Sequence, residues 1–323
     1  MKKTRNAPAG VKTADFFAGI GGIRIGLEDA GFDTVFSNDF DPYCKITYDL
    51  NFKVVPLTVE DIFKIDEKKL PRFDLFAGGF PCQPFSIAGY RKGFLDKGRG
   101  DIFFQIARIL DYIKPQVIFL QNVKNLKSHD GGRTYGIIEK TLKKLGYHIK
   151  SDVLNTMRYG GVPQNRERIY IVGFRNKKFA DKFHFPDPIS LKTKVSDLLE
   201  KEVPEKYYYQ HTSVIYKELK DKIVSENTVY QWRRKYVREN KKGVCPTLTA
   251  NMGMGGHNVP LIKDKKGIRK LTPTECLRLQ GFPKTYRLPK GIADSRLYKQ
   301  VGNSVSVPVI RRIAKEIAKA MSK

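Results

Sequence analysis

Over the first 175 residues, short apolar runs bounded by Gly, Asn and Asp alternate with longer stretches in which apolar residues recur at helical spacing. The runs at 13–17, 34–38, 73–77, 117–121 and 169–174 predict strands. Between them, 101–110 carries the clearest helical pattern, and Lys114-Pro115 ends it. This rhythm predicts an α/β fold with a doubly wound, Rossmann-like sheet, each strand handing its following loop to the same edge. Near Pro186-Asp187-Pro188 the rhythm stops, and until about Gly267 the chain is rich in Lys, Arg, Tyr and Gly. From Leu271 helical patterning resumes, and 310–321 reads as an amphipathic helix. The expected division is a catalytic domain of 1–187 plus 301–323, a recognition domain of 188–270, and a hinge of 271–300.

Charge adds a partner to this outline. Lys and Arg number 60 against 33 Asp and Glu, a formal net charge of +27, far more than solubility requires. Such an excess points to a polyanion, most plainly nucleic acid, with a lysine-rich surface of no specific role as the alternative. The middle segment, with Gln231-Trp232-Arg233-Arg234-Lys235-Tyr236-Val237-Arg238, suits a surface meeting phosphates and bases, or an ordinary solvated face over a small aromatic core. The four cysteines are far apart and form no Cys-x-x-Cys pair, so neither a metal site nor a disulfide framework is expected. No apolar run approaches membrane-spanning length, and a soluble cytoplasmic protein with reduced thiols is expected.

Two loops carry candidate chemistry. The segment 15–26 follows the first strand, and its glycines would let the backbone approach a nucleotide-like ligand, with Asp39 at the end of the second strand placed to accept ribose hydroxyls. A dinucleotide fingerprint is absent, because the position of its third glycine is Arg24, so adenosine without pyrophosphate is favoured. The second loop, Gly78-Gly79-Phe80-Pro81-Cys82-Gln83-Pro84-Phe85-Ser86, puts Cys82 after the third strand, at the edge where open α/β sheets bind ligands. Taken alone, that thiol is more often a buried hydrophobe than a nucleophile.

Five blocks in order change that balance: D-x-F-x-G-x-G-G at 15–22, G-F-P-C-Q-P-F-S at 79–86, Q-x-R-x-R at Gln164, Arg166 and Arg168, L-T-P-x-E-C-x-R-L-Q-G-F-P at 271–283, and Y-K-Q-V-G-N-S-V at 298–305. With them the chain resembles the DNA cytosine-C5 methyltransferases of bacterial restriction-modification systems from about Thr13 to Val309, the basic middle segment matching only loosely. The resemblance implies that S-adenosylmethionine, leaving as S-adenosylhomocysteine, is held by Phe17, Gly19, Gly21 and Gly22, Asp39, Phe40 against the adenine, Asp61, Ile62, Pro81, Ile102, Asn303 and Val305. It implies Cys82 as the nucleophile toward cytosine C6, with Arg166 and Arg168 at the base's O2 side and phosphate. DNA contacts are expected from Ser86, Gln164, Trp232, Arg233, Arg234, Arg238, Thr247, Thr249, Gly255 and Gly256. The block 244–258 resembles the family's target-recognition block and hints at a short GC-rich palindrome beginning CC or GG. The expected partners are double-stranded DNA and a cognate restriction endonuclease acting separately, with the enzyme a monomer located with the nucleoid. A tRNA cytosine methyltransferase and a catalytically weak DNA-binding homologue are the rival readings.

Two departures bear on mechanism. The loop 93–104 is one residue longer than the family's before its Arg-Gly. The family's acid stands in a Glu-Asn-Val triplet, whereas this chain has Gln121-Asn122-Val123, and an amide can hydrogen-bond to the base but has no proton to transfer. Restoring the acid with Gln121→Glu is expected to raise the single-turnover methylation rate, a positioned acid contributing on the order of 10² to 10⁴. An unchanged rate would show that Gln121 does not stand in for that acid.

Overall fold

The computed structural model describes residues 10–81, 102–233, 235–240, 242–253 and 260–322. They fall into two compact units, one drawn from Met1–Leu154, Glu167–Asp187 and Val309–Lys323, the other from Asn155–Arg166 and Pro188–Pro308. Residues 155–166 and 301–308, expected with the catalytic part, thus group with the second unit, and so does the expected hinge.

In the first unit the apolar runs become strands β1 (Lys12–Phe16), β2 (Asp33–Asp39), β3 (Thr58–Val59), β4 (Leu75–Gly78), β5 (Val117–Val123), β6 (His148–Asn155) and β7 (Glu167–Phe174). They form one sheet in the order β3-β2-β1-β4-β5-β7-β6. The pairs among β1 to β5 are parallel, while β7 runs antiparallel to β5. The last predicted strand therefore departs from the expectation that every strand delivers its loop to one edge: β7 brings its N-terminal end to that edge. Strand order reverses beside β1, which makes the carboxyl edge of β1 and β4 the natural crevice for a ligand.

The helices are α1 (Gly22–Glu28), α2 (Pro42–Asn51), α3 (Ile102–Ile113), α4 (Arg133–Lys144), α5 (Pro273–Leu279), α6 (Asp294–Asn303) and α7 (Val307–Met321). In α3 the residues at helical spacing, Phe103, Ile106, Ile109 and Leu110, are fully buried against Phe76, Ile118 and Leu120 of the sheet. Burying each such side chain contributes about 1.5–3 kcal/mol. The helix stops where Lys114 turns to a φ of 53° ahead of Pro115, whose ring disfavours helical backbone in the preceding residue.

Arg24, which replaces a fingerprint glycine, is a buried tie. Its Nε bonds Glu28 at 2.7 Å, and its Nη atoms donate to the Tyr48 hydroxyl and to the Val54 and Val55 carbonyls at 2.9–3.0 Å. Its guanidinium also lies 4.3 Å from the Phe52 ring centre. One cation thereby holds α1, α2 and the turn after α2 together.

The second unit, where the βα rhythm of the sequence stops, contains an antiparallel sheet of β8 (Val229–Trp232), β9 (Val237–Asn240), β10 (Pro260–Asp264) and β11 (Gly267–Lys270), in the order β9-β8-β10-β11. Tyr230, Leu261 and Ile268 pack with Leu219 and Ile223 as its core. The fully buried Arg269 is held between Asp264 and Glu275 at 2.7–2.8 Å. Glu275 also completes a capping box with Thr272 at the start of α5. A two-residue parallel ladder pairs Gln164-Asn165 with Cys245-Pro246.

Two tests follow from these buried charges. Replacing Arg24 with Met would remove its bonds to Glu28, Tyr48 and the Val54 and Val55 carbonyls and should cost about 1–3 kcal/mol, read as a lower urea midpoint, with a midpoint at the wild-type value counting against the tie. Asp15 on β1 is fully buried, neither carboxyl oxygen finding a hydrogen bond among the described residues, and burial raises its pKa from 3.8 to about 8. The folded state thus holds this proton more tightly than the unfolded chain, so the contribution to stability is complete below about pH 4 and is lost as pH rises toward about 8. Asp15→Asn should flatten the fall in urea midpoint between pH 5 and pH 8.

Candidate active site

The loop after β1 is shaped by backbone geometry and one carboxylate. Phe17 has a φ of 56°, Gly19 of 54° and Gly21 of 79°. A Cβ at Gly21 would run into the Phe52 ring, so only glycine turns the chain into α1 there. Asp39 accepts the Gly19 N–H at 2.8 Å and the Asp41 N–H at 2.9 Å. This refines the expected ribose-binding role: the carboxylate first pins the glycine loop to the end of β2, and each oxygen keeps a second lone pair for a ligand hydroxyl. Burial raises its pKa, opposed by those N–H donors.

Beside it Phe40 leaves 69% of its surface exposed, a flat apolar face next to a buried acid. Ile62 is buried and Asp61 exposed, the Asp61 carboxylate accepting the Phe63 N–H at 3.1 Å. Their turn is backed by Arg108 on α3, which donates to the Ile62 and Ile65 carbonyls at 3.2 and 3.0 Å. Arg108 was not foreseen, since only tertiary packing brings it beneath that turn. Gly19 faces open space, Pro81 is exposed and Ile102 half-buried. An exposed ring, a hydroxyl-accepting acid and an open glycine turn fit an adenosine-bearing ligand such as S-adenosylmethionine. Asn303, exposed, and Val305, buried, close α6 and follow it in the second unit.

At the same sheet edge, β4 and β5 carry the second set. Cys82 and Ser86 lie outside the described residues, as do Arg234, Gly255 and Gly256. The chain leading to Cys82 is fixed by Asn122, whose Nδ2 donates to the Phe80 carbonyl at 3.1 Å, while its Oδ1 accepts the Val123 N–H at 2.8 Å. Asn122 was passed over as a functional residue although it stands in the Gln-Asn-Val triplet. Gln121 Oε1 lies 3.3 Å from where a Cβ on Gly79 would be. Gln121 pairs with Tyr170 and Val123 with Arg168 across β5 and β7. Residues two apart share a face of the sheet, so Gln121 and Arg168 are diagonal neighbours, about 7–8 Å apart at Cα and within reach of one small ligand. Arg168 is half-buried and donates to the Glu167 carbonyl at 2.8 Å; desolvation lowers its pKa, and no carboxylate pairs with it among the described residues.

Gln164 and Arg166 stand apart from these expectations. Gln164, expected to meet DNA, is fully buried, its Nε2 donating to the Leu279 carbonyl at 2.7 Å. Arg166, expected at the base, is 2% exposed, its guanidinium donating to the carbonyls of Leu248, Gly302 and Ser304. The difference from Arg168 lies in the fold: the chain passes from the second unit to the first between Arg166 and Glu167, so the two arginines belong to different units. Of the remaining recognition candidates, Arg233 and Arg238 are exposed, Trp232 is half-buried against the small core, and Thr247 and Thr249 are partly exposed with hydroxyls on Asn165 O and Asn251 Oδ1, each at 2.7 Å. Among the described residues no cluster of His, Cys, Asp or Glu could hold a metal, and no helix is long and apolar enough to cross a membrane.

Comparison with known proteins identifies relatives of the chain. Residues 11–319 match the family model described as C-5 cytosine-specific DNA methylase. The chain is 53% identical over 315 residues to Type II methyltransferase M.Bsp6I of Bacillus sp. (strain RFL6), covering 96% of this chain and 99% of that one. It is 38% identical over 331 residues to Type II methyltransferase M.HhaI of Haemophilus parahaemolyticus, covering 97% and 96%. Among solved structures the S. pombe Dnmt2 methyltransferase shares the fold with a TM-score of 0.73 at 19% identity, covering 94% of this chain and 97% of that one. The Entamoeba histolytica methyltransferase EhMeth does so with a TM-score of 0.73 at 20% identity, covering 98% and 100%. The chain belongs to the C-5 cytosine-specific DNA methylase family, enzymes that methylate DNA cytosine at carbon 5 with S-adenosylmethionine as methyl donor.

Proposed function

We propose that the protein methylates a cytosine flipped out of a short duplex site, through a covalent bond between Cys82 and carbon 6 of the base. The observation that carries this reading is the shared sheet face of Gln121 and Arg168, beside the chain segment that leads through Phe80 toward Cys82. S-adenosylmethionine supplies an electrophilic methyl group on a positively charged sulfur. Carbon 5 of cytosine is too electron-poor to take it unaided, and addition of the Cys82 thiolate to carbon 6 pushes the electron pair of the 5,6 double bond toward carbon 5. After transfer, loss of the carbon 5 proton to a base restores that double bond and expels the thiolate. The reacting atoms are out of reach inside a duplex, which makes extrusion of the base a requirement.

The addition step builds negative charge on the ring. Gln121 can donate from its amide to N3 and accept from the 4-amino group, holding the base without protonating it. Arg168 then carries the stabilisation, a half-buried cation with no carboxylate partner among the described residues and free to bond the base's O2. This division of labour supports a competent but slowed enzyme. The +27 charge and the exposed Arg233 and Arg238 support duplex DNA as the partner, and the names of the Type II relatives support a cognate restriction endonuclease acting separately on the same site. The protein acts as a monomer in the cytoplasm, on a short GC-rich palindrome beginning CC or GG.

Bisulfite sequencing of DNA from cells expressing the protein should reveal new 5-methylcytosine at one short site. A duplex carrying 5-fluorocytosine at that position should form a denaturant-resistant adduct that Cys82→Ser abolishes. A protein that retards the duplex on a gel yet gives neither signal, including with Gln121→Glu, would be a DNA-binding homologue without turnover.

A further inference from the structure

We propose that Gln164 and Arg166 are positioning residues for target reading, gripping both backbone polar groups of Leu248 and thereby setting Thr247 and Thr249. The Leu248 N–H donates to Gln164 Oε1 at 3.2 Å, and the Leu248 carbonyl accepts from Arg166 Nη1 at 2.7 Å. The peptide units before and after Leu248 are thus each held by a buried side chain, and neither can rotate without breaking its bond. Each gripping side chain is itself anchored. Gln164 Nε2 donates to the Leu279 carbonyl at 2.7 Å and to Gln280 Oε1 at 3.2 Å, and Gln280 Nε2 donates to the Val301 carbonyl at 2.9 Å. Arg166 Nη2 spans the carbonyls of Gly302 and Ser304 at 3.2 and 2.5 Å.

The same residues therefore join the segment 247–249 to the end of α6. Direct packing reinforces the joint, since a Cβ on Gly302 would collide with the Thr249 carbonyl, so that only glycine allows the two backbones to touch. The ladder between Gln164-Asn165 and Cys245-Pro246, and the bond from the Thr247 hydroxyl to the Asn165 carbonyl, carry the grip to the front of the segment. Thr247 and Thr249 remain partly exposed on either side of the buried Leu248. A buried arginine spent on three carbonyls is an unusual use of a cation if packing alone were required, because an apolar side chain fills space without desolvating a charge. Its fork instead fixes three carbonyls of two backbone segments in one plane of donors.

This inference rests on the reading of 247–249 as a DNA-contacting segment, and the experiment separates the two. Wild-type protein with S-adenosylhomocysteine is used to select binders from a random duplex library, and affinities for the selected duplex and its single-base variants are then measured over a range of salt. Thr247→Ala and Thr249→Ala test the segment; unaltered discrimination in both, or no sequence selected at all, would remove the reading on which the grip rests. Given a contribution from the threonines, Arg166→Lys, which cannot reach all three carbonyls at once, should lower discrimination about tenfold while leaving the slope of log affinity against log salt at its wild-type value. Gln164→Asn, too short to hold Leu248 and free of any charge change, should do the same. A slope reduced by about 0.9 in Arg166→Gln, which removes the charge, would mean a lost phosphate contact and overturn the positioning role in favour of direct DNA binding. Full discrimination in both folded variants would overturn the grip itself. Thermal unfolding of each variant establishes folding, and the uncharged Gln164→Asn carries the test if Arg166→Lys does not fold.

Discussion

The parallel pairing of β4 between β1 and β5 is the constraint on which the rest depends. Phe16 stands opposite Gly78, and Gly78 opposite Leu120, so the three strands end in step and their loops leave one edge side by side. The pairing holds because its residues are nearly all fully buried and, Thr13 and Asp15 aside, apolar, with Phe16 stacked on Phe76 at 4.6 Å. A one-residue slip would turn these side chains to the other face and separate the glycine loop from the chain entering Cys82. The first unit's chemistry is thus an edge effect of sheet register. Each loop is then tied off locally: Asp39 holds Gly19, Asn122 holds the Phe80 carbonyl, and Arg108 holds the 62–65 turn.

Reversal of the last central strand matters as much as the parallel core. Were β7 parallel to β5, its Arg168 end would lie at the opposite edge of the sheet from Gln121. Antiparallel pairing instead puts Arg168 opposite Val123, two residues along from Gln121. A cation and an amide thereby share a face, with the cation desolvated and no carboxylate beside it among the described residues. That arrangement is costly for folding and useful for chemistry that builds negative charge, which is the common bargain at active sites.

The two arginines of one short motif show how the same residue type divides its labour. Arg168 sits near the N-terminal end of β7, half-buried, whereas Arg166, two residues earlier, is drawn into a polar core with Gln164 and Gln280. Much of the +27 charge resides on exposed lysines and arginines and serves long-range attraction to a polyanion. Arg24, Arg166 and Arg269, by contrast, are buried and act as multi-pronged donors that hold irregular backbone together.

Periodicity and glycine placement in the sequence determined the α/β class, five strands of the first unit and the helix that ends at Lys114, because local propensity and burial agree there. Short chemical blocks determined the family and the identity of the expected nucleophile, because a reaction demands particular functional groups. The short strands β8 to β11 were illegible in a segment crowded with Lys, Arg and Gly, where four-residue strands leave too few alternations to read. Direction of β7, the grouping of 155–166 with the second unit, and the burial of Gln164 and Arg166 were decided only by tertiary structure. Each depends on partners far along the chain, such as Leu248, Leu279 and Ser304, and no local pattern around Gln164 or Arg166 records which distant carbonyl their donors will meet.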